Sequence, residues 1–314
     1  MAIKVLDEER LGDRLRRLTV QADSLGPEEW SVQVLLPRGW SEHGGGTRPL
    51  LTLHHGGLDD SASWTRHTDV EHLSRDDDVL VVMPDGGRFG GYADWRSGPQ
   101  WQTFHVHDVH ALMRERYRAS AVRAVAGVSG GGYGALLSAA SHPGMFRFAA
   151  SLSGPCTIRS PLAATTLLAA TGIAGRVNPF QMWGVPVLGD RHWRAADPLY
   201  LAAGLRGTGV FLSCGLTGRP GPLDPPGTWS AANLAEPVVR STVRPFLRRL
   251  HGLGIPAAAH LYRDGTHSWP YWERELHRIW PRLIASLGAR SRRSTGSRRS
   301  TRPRRHTRSW RHTR

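Results

Sequence analysis

Seven short apolar runs recur along this 314-residue chain, and their spacing is what most restricts how it can fold. They are Val32–Leu36, Leu50–His54, Val79–Met83, Val122–Val128, Phe148–Leu152, Val210–Cys214 and Ala257–Tyr262, each about the length of a buried strand. Helical spacing fills the gaps near Trp64–Ser74, Trp101–Tyr117, Gly131–Ser141, Glu236–Leu250 and Trp269–Leu287. In the last of these, Trp272, Leu276, Ile279, Trp280, Leu283 and Ile284 mark one apolar face. Strands alternating with helices predict a mostly parallel sheet covered on both faces, because each parallel crossover needs a helix to make it. Residues 155–208 are less regular. Their Ala/Leu-rich run at 162–175 reads either as a cap over the carboxyl edge of the sheet or as one more core helix.

The net charge of +15 is concentrated at one end. Residues 290–314 hold eleven of the 41 basic residues and no acid, leaving 30 basic against 26 acidic in the rest. The body is therefore mildly basic and ordinary, and all but Lys4 of its basic residues are arginine. The Arg/Ser/Thr-rich end is expected to be disordered. It reads as a solvated appendage rather than as an attachment to nucleic acid or an anionic surface, since Trp310 is its only aromatic residue. Twelve Trp and the regular apolar runs exclude disorder of the whole chain, and two Cys exclude a disulfide-stapled scaffold. No stretch has the length of apolar sequence that a membrane span needs. The first eighteen residues are charged throughout and lack the apolar core of a secretory leader, so the chain as written is expected in the cytoplasm. A start placed elsewhere, or a removed leader, would make it secreted.

The strand Val122–Val128 runs directly into Gly127-Val128-Ser129-Gly130-Gly131, and a helix of small residues follows. A sharp strand-to-helix turn there lifts a serine oxygen above the sheet and sets it at a helix N-terminus, which favours developing negative charge. Serine is a weak nucleophile until a base takes its proton. His267 is the best placed base, on a loop between the strand Ala257–Tyr262 and the last helix, at the edge of the sheet where catalytic loops gather. A third member in the order Ser…acid…His must come from Asp190, Asp197, Asp224, Glu236 and Asp264. Asp264 is too close to His267, and Asp190 and Asp197 precede the strand Val210–Cys214. Local reasoning leaves Glu236 and Asp224 open. The oxyanion needs two backbone donors: Gly130, after the nucleophile, and Gly57, where the strand Leu50–His54 ends in His54-His55-Gly56-Gly57.

Three other features point to no chemistry. His105-Val106-His107-Asp108-Val109-His110 lies inside a helical pattern that does not align its side chains for a metal, so no metal is expected. Cys156 and Cys214 end strands and read as buried free thiols. No phosphate-cradling glycine loop followed by Lys-Ser/Thr occurs, and no cofactor is implied.

The stretch Gly127–Gly154 together with Gly265–Trp272 (GTHSWPYW) resembles the esterase D/antigen 85 group of α/β-hydrolases. Val81–Pro84, Tyr92–Trp95, Met182–Gly184 and Asn233–Arg240 add to the likeness, which covers roughly residues 30–288. The resemblance implies an α/β-hydrolase domain over 1–289 with 290–314 as its tail, Ser129 as nucleophile and His267 as base. It also implies Glu236 as the acid, 31 residues before His267, with Asp224 in reserve as in the esterase D branch. Gly57 and Gly130 take the oxyanion positions, and Leu58 and Trp269 line the substrate pocket. Where the mycolyltransferases carry Asp-Gly-Leu-Arg, this chain has His55-Gly56-Gly57-Leu58, and it lacks their nearby cysteine pair. The expected activity is a serine carboxylesterase acting on small-molecule or lipid esters. The alternatives are an acyltransferase using the same acyl-enzyme, or a binding protein on the same scaffold.

Overall fold

The computed structural model describes residues 3–89, 91–186, 190–227 and 231–289; the Arg-rich end lies outside the described residues. Nine strands form one sheet: β1 (Ile3–Arg10), β2 (Leu15–Ala22), β3 (Gly26–Leu35), β4 (Arg48–His54), β5 (Leu80–Pro84), β6 (Ala119–Val128), β7 (Phe148–Leu152), β8 (Gly209–Gly215) and β9 (Ala257–Tyr262). Their order is β1-β2-β3-β5-β4-β6-β7-β8-β9. From β5 to β9 every pairing is parallel, whereas β1, β2 and β3 join as an antiparallel meander. All seven expected strands are present. The hairpin β1–β2 was not expected, because its charged residues hide a half-buried edge pattern.

The central strands are buried on both faces. Ala124, Ala126 and Val128 of β6 pack toward the helix Trp269–Ser286, while Val125 faces the helix Gly130–Ser141. Alternation along the strand thus serves two apolar layers. The helix Gly130–Ser141 contains four glycines in its first five residues, so packing rather than helix propensity holds it. Those small residues let it press against the sheet, and every residue from Gly131 to Ala140 is buried.

The chain reverses its direction of winding at β4. Strand β5 lies on one side of it and β6 on the other, and the register sets His54 opposite Gly127. Such a switch point opens a crevice at the carboxyl ends of the two strands. It brings His54–Leu58 beside the turn that carries Ser129.

The 155–208 region is divided: residues 161–183 cover the cavity as a cap, while Ala202 and Leu205 pack in the core against the helix Gly130–Ser141. The region's helices are Pro161–Ala169, capped by Ser160 Oγ, then Pro179–Trp183, capped by Asn178 Oδ1, and Asp190–Ala195. The helical stretch Trp101–Tyr117 is unbroken but not α-helical throughout. A π turn at Phe104–Asp108 separates Trp101–Thr103 from Val109–Tyr117, and within it His105 Nε2 reaches the Asp85 carbonyl at 2.9 Å.

Candidate active site

Ser129 sits at φ 52° and ψ −123°, a conformation that non-glycine residues avoid. The surroundings hold it there. Its N–H donates to Leu152 O at 2.9 Å, and its carbonyl accepts from Gly132 N–H at 2.9 Å and Tyr133 N–H at 3.1 Å. The turn is passable only to glycine at its tightest points. A Cβ on Gly127 would stand 2.2 Å from Gly131 O, and one on Gly131 would stand 2.4 Å from His55 O and 2.5 Å from His54 O. Backbone atoms cannot swing aside as a side chain would. We therefore expect Gly131→Ala to destabilise the fold by at least about 2 kcal/mol, read as a fall in Tm of at least about 3 °C on thermal denaturation.

Ser129 Oγ lies 2.8 Å from His267 Nε2, and His267 Nδ1 lies 2.8 Å from Glu236 Oε1. Glu236, fully buried at the start of the helix Ala235–Gly252, accepts the Gly215 N–H at 2.5 Å on its other oxygen. One end of the carboxylate is thus fixed by the end of β8, and the other meets the imidazole. Trp272 stands edge-on to the His267 ring at 5.0 Å. Asp224 is engaged elsewhere: it accepts from Thr266 Oγ1, from Tyr271 OH at 2.6 Å and from Gly221 N–H at 2.7 Å. Burial would raise its pKa, but these hydrogen bonds outweigh that and hold it below the usual carboxylate range. Asp264 accepts from Thr217 Oγ1, and Asp197 is buried under the cap, accepting from Thr157 and Tyr200 N–H.

Gly57 and Gly130 border the same cavity, where a Cβ on Gly130 would stand 3.8 Å from Gly57 N. Gly130 opens its helix, so its N–H has no acceptor within the helix. Leu58 also lines the cavity, at φ 66°, with its N–H donated to Arg88 O. The cavity measures about 570 Å³ and is walled by the cap: Ala163, Leu167, Ala170 and Trp183 close it from above, with Val238 and Val239 at the side. Phe89, which the sequence did not single out, lies against Gly57 and Gly175 and so bridges the Gly56–Leu58 loop and the cap. Trp269 departs from expectation. It is not among the residues lining the cavity, because it stacks on His67 at 5.1 Å and packs edge-on against Trp64 and Trp272, each at 5.2 Å.

A buried aromatic cluster supports the loop from beneath. His54 stacks on Tyr92 at 4.6 Å, and His105 packs against both. Burial, partly offset by the hydrogen bond to the Asp85 carbonyl, lowers the His105 pKa to about 4. An unfolded histidine titrates near 6.5, so the unfolded chain binds this proton more readily than the folded one. The stability carried by neutral His105 is complete above about pH 6.5, falls between there and pH 4, and falls no further below. We expect His105→Asn to make the decline in denaturant stability from pH 7 to 4 shallower by about 3 kcal/mol.

The remaining histidine and cysteine motifs are dispersed. Asp108 accepts from Ser24 Oγ, His110 Nε2 meets Ser120 O, and His107 packs on His142. Cys156 and Cys214 are buried, and burial followed by the Glu236 charge pushes the Cys214 thiol up to about 12. At the surface, Asp69, Glu273 and His277 bring ligand-type atoms within 4.8 Å of one another, but none of them lines the cavity.

Comparison with known proteins places the chain in a family. The Esterase family model matches residues 24–283. The chain belongs to the Esterase family. As a member it is an enzyme of ester chemistry, hydrolysis or acyl transfer. The esterase is 32% identical over 263 residues to the diacylglycerol acyltransferase/mycolyltransferase Ag85B of Mycobacterium leprae, covering 79% of each chain. It is 31% identical to Esterase Rv1288 of Mycobacterium tuberculosis over 93% of its own length and 64% of that relative's. Among solved structures, Mycobacterium tuberculosis MPT51 superposes with a TM-score of 0.69 at 23% identity, over 90% of this chain and 99% of that one. An S-formylglutathione hydrolase from Agrobacterium tumefaciens gives 0.68 at 16% identity, again over 90% and 99%. These two likenesses bear on the fold, which is that of an α/β-hydrolase. No helix among the described residues is long and apolar enough to cross a membrane.

Proposed function

We propose that this esterase is a serine carboxylesterase that works through an acyl-enzyme on Ser129. The observation that carries the reading is the line Ser129 Oγ–His267–Glu236, with both hydrogen bonds at 2.8 Å, at the mouth of an apolar cavity that Gly57 and Gly130 also border. His267 Nε2 takes the hydroxyl proton as Ser129 Oγ attacks the ester carbonyl carbon. Glu236 holds the imidazole with its other proton on Nδ1 and stabilises the imidazolium that forms. The carbonyl oxygen becomes an oxyanion facing the Gly57 and Gly130 amides. Collapse of this intermediate breaks the bond to the leaving alcohol, which takes the proton from His267. Water, deprotonated by His267, then attacks the acyl carbon; the bond to Ser129 Oγ breaks, the acyl group leaves as the carboxylic acid and Oγ takes the proton back from His267.

The apolar walls, from Phe89 and Ile158 to Met182 and Val239, suit an ester with a hydrocarbon acyl chain. They suit equally an acyl-enzyme shielded from water and handed to a second alcohol, and the acyltransferase named among the relatives favours that second reading. Rapid mixing with p-nitrophenyl butyrate in the presence of glycerol or trehalose separates the two. We expect a burst of nitrophenol, an acyl adduct on Ser129 by mass spectrometry, and butyric acid as the main product. Ester formation in excess of acid would make the enzyme an acyltransferase. Absence of both burst and turnover would leave a binding protein on this scaffold.

A further inference from the structure

The peptide unit that joins Gly56 to Gly57 has its two polar ends in different surroundings. Gly57 borders the cavity beside Ser129, and its nitrogen lies next to Gly130, on which a Cβ would stand 3.8 Å from it. The unit's carbonyl, on Gly56, lies 2.7 Å from Nδ1 of the His55 imidazole, a residue only 1% exposed. A trans peptide is planar, so its N–H and C=O point in opposite directions and turn together. Whatever grips Gly56 O therefore aims Gly57 N–H. With glycine on both sides of the unit, the other grip on that carbonyl is a longer one, the Asp59 N–H donating to Gly56 O at 3.4 Å.

The ring presents a hydrogen to the carbonyl. Gly86 N–H donates to His55 Nε2 at 2.8 Å, which requires a lone pair on that nitrogen. The neutral ring then carries its proton on Nδ1, facing Gly56 O. Asp85 Oδ1 is farther from Nε2, at 3.5 Å, and already accepts from Gly87 N–H at 2.8 Å. A second grip acts one peptide earlier, where Tyr92 OH donates to His55 O at 2.7 Å.

We infer that His55 is a positioning residue: its Nδ1–H clamps the Gly56 carbonyl and thereby holds the Gly57 amide toward the oxyanion. The inference rests on the reading of Ser129 and Gly57 given above. The clamp also polarises the peptide, which strengthens its N–H as a donor. Its benefit is felt when charge develops on the substrate oxygen, so it belongs to kcat rather than KM.

Two substitutions in the full chain separate the clamp from mere packing. Asparagine sets an amide N–H near the Nδ1 position, whereas glutamine, closer to histidine in size, sets one near Nε2. With p-nitrophenyl butyrate, His55→Asn should keep kcat within about fivefold, while His55→Gln should lose about tenfold to a hundredfold, both with KM within about twofold. Affinity for a trifluoromethyl ketone, whose adduct places an oxyanion at the same amide, should fall in step with kcat. Retention of turnover by Ser129→Ala, assayed alongside, would overturn the reading of the site itself. Should neither His55 variant fold, nitrogen-15 histidine spectra of the wild type decide: a neutral ring protonated on Nδ1 supports the clamp, and protonation on Nε2 overturns it. Where both variants fold, His55→Gln matching or exceeding His55→Asn in kcat overturns the clamp.

Discussion

Ser129→Ala is expected to lower kcat for p-nitrophenyl butyrate by about 10⁶-fold, with the thermal midpoint unchanged. Alanine inherits the same backbone conformation, and the hydrogen bonds that hold it there come from Leu152, Gly132 and Tyr133 through main-chain atoms. What disappears is the oxygen 2.8 Å from His267 Nε2. A residual acceleration of about 10³-fold over water should persist, because the Gly57 and Gly130 amides proposed for the oxyanion, and the cavity, remain. Kinetics of the purified variant, with active sites counted by a fluorophosphonate label on the wild type, give the comparison. Turnover within tenfold of wild type would remove Ser129 from the mechanism.

Glu236→Gln is expected to lower kcat by about 10⁴-fold while moving KM by no more than a few-fold. The reason lies in the donor inventory. The carboxylate accepts from Gly215 N–H on one oxygen and meets His267 Nδ1 on the other. Glutamine has the same shape but only one acceptor, so its NH₂ must face one of two N–H groups. If it faces His267, the imidazole is driven into the tautomer that cannot accept from serine. If it faces Gly215, a buried amide is left unpaired at a cost of about 1–3 kcal/mol. Asp224→Asn, where the native carboxylate accepts among the described residues from Thr266, Tyr271 and the Gly221 amide, should keep kcat within about tenfold. Steady-state kinetics on the pair give the test, and the opposite ranking would make Asp224 the acid.

The parallel strands were legible because burial on both faces forces an unbroken apolar run, and Leu51-Thr52-Leu53 or Phe148-Ala149-Ala150 show it directly. Strand β1 was not, since Asp7, Glu8 and Glu9 on an edge read as a charged terminus until the pairing with β2 is seen. The elbow at Ser129 and the loop of His267 were readable for a related reason: glycine and small residues sit where two backbones nearly touch. The choice between Glu236 and Asp224 was not a local property. It depends on where β8 delivers Gly215 and which carboxylate that amide fixes. Trp269 shows the reverse limit. A motif can be matched residue by residue, yet the packing partners His67 and Trp64, two hundred residues away, decide which way the ring faces.

The parallel order of the sheet has a consequence for how activity is acquired in time. The contact between Ser129 and His267 spans 138 residues, and His267 follows β9, which pairs only with β8. Pairings this distant in sequence repay the entropy of closing their loops only when complete, so such chains fold slowly. On dilution from denaturant, collapse and helix formation are expected to precede the seating of the last strand. Until it is seated Ser129 Oγ lacks its contact with His267 Nε2. Recovered turnover is therefore a late reporter of refolding, following the return of helical signal rather than accompanying it.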